Sequence, residues 1–210
     1  MEDVRDDGTH GTGEDRSATE EAAPRGRELR RLVVVCSGSI NAAVLPWWIG
    51  WTRINAPEIE LRIVVTRSAA RFVSPEALAV ISGHPTSLDV WPEASGGSPH
   101  TELVAWADGF VVYPASAHFL ARLALGITDT PSQLALQCTA APIAVVPALP
   151  PGMWKSAAMR RNLAALAERE NVLVIPPVPG RSWSSGRDDA SIPPPFPQVV
   201  QLLRRRLVAV

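Results

Sequence analysis

Cysteine is nearly absent from this chain: two residues, Cys36 and Cys138, stand far apart among 210. Two thiols cannot build a disulfide framework, and their scarcity fits a reducing compartment. They also supply too little for a thiolate metal site, so no metal is expected. Long apolar runs are missing as well. The first run, Leu32 to Cys36, is too short to cross a bilayer, and the acidic segment before it lacks the charge pattern of a signal peptide. An excess of either charge is absent too, since 20 basic and 21 acidic residues leave a net charge of -1. Without a basic footprint to neutralise a run of phosphates, nucleic acid is not an expected partner. What remains is the expectation of a cytoplasmic protein with no membrane partner.

What is present suits one α/β domain. Residues 1–28 are polar, with eight acids and two arginines up to Glu21, and show no hydrophobic periodicity, so disorder is expected there. From residue 29 to 175, short β-branched runs alternate with helical stretches, the pattern of parallel strands joined by crossover helices. Strands are predicted at Arg31–Ser37, Glu60–Thr66, Gly109–Pro114, Ile143–Pro147 and Val172–Pro176, each almost continuously apolar, as strands covered on both faces are. Helices are predicted at Ile40–Arg53, Ser74–Ser82, His100–Ala107, Ala117–Leu125, Ser132–Ala140 and Ser156–Arg169. The expected fold is a doubly wound, Rossmann- or flavodoxin-like, mostly parallel sheet with helices on both faces. Residues 176–197 are rich in proline and serine and too long for an ordinary connection, which reads as either a substrate clamp or plain disorder. Residues 198–210 read as a terminal helix, with Arg204, Arg205 and Arg206 at the negative end of its dipole.

In an open parallel sheet, ligands bind beyond the carboxyl ends of the strands, so residues just after each apolar run are the candidates. Ser37, Gly38 and Ser39 form a small-residue turn where backbone amides at a helix start can approach a phosphate. Thr66 and Ser68 offer hydroxyls to a phosphate or sugar alcohol, or else cap the next helix; Phe72 alone reads as core. Pro114, Ala115, Ser116 and Ala117 give a low-bulk surface suited to a flat ring, followed by His118. His100 is either the histidine of a surface loop or a base, because an imidazole exchanges protons near neutral pH. Pro147, Met153 and Trp154 follow the fourth strand; the last two could close over a substrate or pack at a helix start. Trp47, Trp48 and Trp51 read as core or subunit contact, Cys36 as a small buried residue, and His84 as structural.

The order of these motifs resembles the homo-oligomeric flavin-containing cysteine decarboxylases, which include lantibiotic peptide decarboxylases and phosphopantothenoylcysteine decarboxylase. The resemblance rests on His100 ahead of Pro114-Ala115-Ser116-Ala117, on Thr66-x-x-Ala69-x-x-Phe72, on the Ser37-Gly38-Ser39 turn, and on Pro147, Met153 and Trp154 of a substrate motif. It implies FMN, or FAD, bound by Ser37, Gly38, Ser39, Thr66, Ser68, Phe72, Pro114, Ala115, Ser116, Ala117 and His118, between subunits of a trimer or dodecamer. It implies His100 as catalytic base, and Pro147, Met153 and Trp154 as contacts to a precursor peptide ending in cysteine. The cysteine would be oxidised to a thioaldehyde and lose carbon dioxide to leave an enethiolate. The chain departs from the family where Leu149 and Pro150 replace a methionine and the asparagine that holds the substrate carboxylate, and where His118 and Phe119 replace an asparagine and a threonine. Phosphopantothenoylcysteine decarboxylase, a flavin prenyltransferase and a non-catalytic phosphatase-binding subunit are the other expectations such a fold carries.

Overall fold

Strands come first to the eye because the β-branched runs pair in register. The structure, a computed structural model, describes residues 28–93, 97–183 and 185–208. The disorder expected for residues 1–28 lies, apart from Glu28, outside the described residues. Six parallel strands, β1 (Arg31–Cys36), β2 (Glu60–Val65), β3 (Thr86–Leu88), β4 (Gly109–Ala115), β5 (Ile143–Pro147) and β6 (Val172–Val174), form one sheet in the order β3-β2-β1-β4-β5-β6. The chain runs outward from β1 to β3, then returns to lay β4 on the other side of β1. That reversal creates a switch point between β1 and β4, where the turns that follow them diverge and leave a crevice.

Alternation along the strands sends side chains into two cores. Leu32, Val34 and Cys36 of β1 pack with Leu45 and Ile49 of α1 (Leu45–Asn55), Leu78 of α2 (Pro75–Ser82), and Phe196, Val199 and Leu203 of α7 (Phe196–Val208). Val33 and Val35 point the other way, toward Phe119 and Leu123 of α4 (Ala117–Ala124), Leu136 of α5 (Pro131–Cys138) and Met159 of α6 (Ala157–Ala167). Leu103 and Val104 of α3 (Pro99–Trp106) pack against this second core. Helices therefore cover both faces, as doubly wound sheets require. Cys36 lies within the first core, and burial pushes its thiol up to about 12, so it behaves as a small apolar residue.

Three local outcomes differ from the sequence reading. The helix expected over Ile40–Arg53 is a short 3-10 helix, Ile40–Val44, followed by α1. Pro46 has no N–H to donate to the turn before it, so the α-helical ladder starts there rather than six residues earlier. β3 lay outside the prediction because Thr86-Ser87-Leu88 is a short edge strand with exposed positions and no apolar run. Residues within 176–197 are ordered as an antiparallel hairpin, β7 (Val178–Gly180) with β8 (Ala190–Ile192), joined to the strand-5 turn by the Leu149 amide donating to the Ser191 carbonyl at 3.0 Å. At the opposite end of the sheet, Asp108 ties β4 to β1 by accepting from the amides of Arg30 and Arg31 and pairing with the Arg31 guanidinium at 3.0 Å. Burial acts to raise its carboxyl pKa, and these three donors outweigh that and hold it below the usual range.

Candidate active site

The switch point is stitched by one hydroxyl. Ser37 Oγ donates to the Pro114 carbonyl at 2.7 Å and accepts from the Ser116 amide at 2.7 Å, and the Ser37 amide donates to the same carbonyl at 3.2 Å. The one proton of that hydroxyl is spent joining the β1 and β4 turns, so Ser37 shapes the crevice and has no spare proton to donate. Pro114 and Ala115 are correspondingly buried inside β4, at a register shift against β5, while Ser116 and Ala117 surface beyond it. The low-bulk loop expected at 114–117 is therefore half strand.

Gly38 is held small by a steric constraint as well. A Cβ there would lie 2.4 Å from Ser68 Oγ and 2.6 Å from Ser68 Cβ, so the β1 and β2 turns touch only because residue 38 lacks a side chain. Gly38→Ala is expected to cost about 1–3 kcal/mol in urea unfolding, and Ser68→Gly in the same chain to restore most of it. A double variant no more stable than Gly38→Ala alone would show that the two turns are not in contact. Ser39 caps the 3-10 helix by accepting from the Asn41 amide at 3.3 Å, and Ser116 caps α4 by accepting from Phe119 at 3.3 Å. Each retains a hydroxyl proton to donate. Thr66 Oγ1 accepts from the Ala69 amide at 3.2 Å and lies 3.2 Å from Ser68 Oγ, so Thr66 is chiefly a cap.

Two cavities open beyond the strand ends and share Ser68, Ser116 and His118 as a dividing ridge. The first, about 510 Å³, is polar: Arg67, Arg122, Asp89 and Thr130 line it with Trp91 and Phe119. Thr130 Oγ1 and Arg122 Nε are buried without a hydrogen-bond partner, although Arg122 also pairs with Asp129 through its terminal nitrogen. Unpaired buried donors of this kind are costly unless a ligand meets them. Two arginines, hydroxyls and the flat face of Trp91 make a set that fits a phosphorylated cofactor with a planar ring. The second cavity, about 680 Å³, is more apolar, lined by Ile40, Leu149, Pro150 and Pro151 and by Arg181, Trp183 and Ile192 of the hairpin.

Other candidates lie elsewhere. Phe72 is 41% exposed, contrary to a core role, and lines neither cavity. Pro147 is buried at the end of β5, and Met153 and Trp154 pack against the second core; the cavity wall in that region is made by residues 148–151 instead. His118, at the start of α4, faces both cavities. His100, near the start of α3, lines neither; its ring meets Trp91 edge-on at 5.7 Å, and Ser98 Oγ stands 3.2 Å from Nδ1. Trp91, Arg67, Arg122 and Thr130 escaped the sequence reading. Recognition of β3 would have found Trp91, since Asp89-Val90-Trp91 is simply another strand end.

Comparison with known proteins agrees with this fold. A cypemycin cysteine dehydrogenase (decarboxylating) from Streptomyces sp is 33% identical over 155 residues, 71% of this chain and 77% of that protein. The coenzyme A biosynthesis bifunctional protein CoaBC of Escherichia coli strain K12 is 35% identical over 143 residues, 67% of this chain but 34% of that protein, so the chain spans about a third of the bifunctional relative. The crystal structure of the FMN-dependent cysteine decarboxylase SpaF superposes with a TM-score of 0.70 at 28% identity, covering 85% of this chain and 97% of the other. The Flavoprotein family itself matches residues 20–207, and with that match over nearly the whole described chain, this protein belongs to the Flavoprotein family.

Proposed function

We propose that this protein is an FMN-dependent decarboxylase that converts the C-terminal cysteine of a ribosomally made precursor peptide to an aminoenethiol, in lantibiotic-type natural-product synthesis. The observation that carries the reading is the pair of cavities meeting at Ser68, Ser116 and His118, one polar and one apolar, in a chain similar to a cysteine decarboxylase. The polar cavity would hold FMN, with Arg67, Arg122, Thr130 and the Ser68 and Ser116 hydroxyls as its donors. Bound flavin supplies the two-electron acceptor. The peptide's cysteine then lies in the apolar cavity against Leu149, Pro150 and Pro151, and a base removes a proton as its Cβ–H and S–H become a C=S bond. The Cα–carboxylate bond breaks next, and its electron pair moves to sulfur as carbon dioxide leaves.

His100 is our base. In one chain it reaches the polar cavity only through Trp91, so this reading has a neighbouring copy complete the site. An apolar stripe supports assembly: Val44, at the end of the 3-10 helix, and Trp47, Trp51 and Ile54 of α1, spaced three and four apart, are all exposed, Trp47 by 71% and Ile54 by 79%. Stripes of this size on a surface mark interfaces. A homotrimer, alone or in a dodecamer, is the proposed assembly, and a monomer mass in light scattering would overturn it.

The similarity to CoaBC keeps phosphopantothenoylcysteine as a second substrate reading. A peptide is preferred because Pro150 cannot hold a small substrate's carboxylate, whereas a longer substrate gains binding along the open apolar cavity. Mass spectrometry of a library of peptides ending in cysteine, incubated with the flavin-loaded protein, should show loss of the elements of formic acid. Conversion of phosphopantothenoylcysteine with every peptide left intact would replace the peptide reading.

A further inference from the structure

A substrate carboxylate entering the apolar cavity finds no donor along the strand-5 turn. The Ala148 amide is spent on the Ala115 carbonyl at 2.9 Å and the Leu149 amide on the Ser191 carbonyl at 3.0 Å. Pro150 and Pro151 have no amide hydrogen at all. Arg181 lines the same cavity, and among its lining residues it is the one carrying a permanent charge. No ion pair or hydrogen bond of its side chain occurs among the described residues, and the hairpin's Asp189 pairs with Arg187 at 3.0 Å. Its placement is also fixed. Arg181 directly follows Gly180, where an added Cβ would run into Ile192 at 2.4 Å, and the opposite strand is tied to Leu149 through Ser191.

We infer that Arg181 is the carboxylate anchor of the substrate, taking the place of the recognition side chain that Pro150 lacks. This inference rests on the decarboxylase reading above. A guanidinium presents paired N–H donors that match a carboxylate, and the contact needs no help from the strand-5 turn. The chemistry sets the form of its contribution. The carboxylate leaves as neutral carbon dioxide, so the ion pair is strongest with bound substrate and weakens as the bond breaks. An interaction stronger in the ground state than in the transition state lowers KM without raising kcat. Trp183, 78% exposed beside Arg181 on the same cavity wall, offers its ring to the residues that precede the cysteine.

The test uses the flavin-loaded wild type, Arg181→Gln and Arg181→Lys, with the best-converted peptide of the cysteine-ending library and the same peptide as a C-terminal amide. Arg181→Gln should raise KM for the acid about tenfold with kcat not lowered, and leave the inhibition constant of the amide within about twofold. Arg181→Lys should recover part of the loss. A KM unchanged by Arg181→Gln overturns the assignment, and so does equal weakening of acid and amide, which would reflect a disturbed hairpin. Absence of any peptide conversion by the wild type would instead remove the decarboxylase reading, and this assignment with it.

Discussion

Substituting His100 by asparagine is expected to leave the protein folded and yellow while slowing peptide decarboxylation by about 10²–10⁴-fold, the range that positioned general bases contribute. Asparagine keeps a polar group beside Ser98, and position 100 is only half-buried at the start of α3, so the helix should hold and the edge contact with Trp91 is the packing given up. The flavin spectrum and the unfolding midpoint serve as controls, and turnover with a cysteine-ending peptide is the readout. Turnover close to wild type would sink the base assignment and favour flavin chemistry that needs no histidine here, such as prenyl transfer. The arrangement across copies is separately testable. Mixing His100→Asn chains with Gly38→Ala chains, whose own β1 and β2 turns are forced apart, should give turnover above the sum of the two separate variants if one chain's base serves another chain's cofactor. A mixture that only matches that sum would return the base to its own chain.

Phe196→Ala should be the most damaging of the simple core truncations, costing about 3–5 kcal/mol in urea unfolding. Phe196 is fully buried at the first position of α7 and packs edge-on against Tyr113, ring centres 5.2 Å apart. Tyr113 in turn donates its hydroxyl to the Pro194 carbonyl at 3.1 Å, so the ring, the strand and the start of the helix are locked together. The next residue along β4 is Pro114, whose carbonyl receives the Ser37 hydroxyl at the switch point. The cavity left by the missing ring is therefore expected to loosen the crevice as well as the fold, and flavin retention on gel filtration should drop alongside stability. A loss below about 1 kcal/mol would mean that α7 is not part of the cooperative unit.

Much of this could be read from residue order alone, and the reasons are physical. β1, β2, β4 and β5 were legible to within a residue because strands covered on both faces must be continuously apolar, and runs such as Leu32–Cys36 have no competing reading. α2, α3, α4 and α6 announced themselves by a serine or proline at the start. β3 and the β7–β8 hairpin were hidden because edge strands and hairpins over a cavity are half exposed, and Thr-Ser-Leu or Val-Pro-Gly carry no periodic signal. The site divided along the same line. Ser68, Ser116 and His118 line both cavities, where residues that follow buried strands are expected to lie. Met153 and Trp154 were assigned to substrate although they pack inward, since spacing in sequence does not reveal which face of a short turn meets the core. Arg181 and Trp91 belong to the two elements that the pattern did not show.

The Leu149–Ser191 contact bears on how such a protein can diversify. A two-stranded element fastened to the strand-5 turn at one rung is a replaceable jaw: residues 181–189 can change in length and character without disturbing any strand that supports the crevice. Selection for a new peptide can then act on that jaw while the strand-end residues stay as they are. Grafting the corresponding segment of a relative such as SpaF between Gly180 and Ala190 should carry peptide preference with it and leave flavin binding as it was.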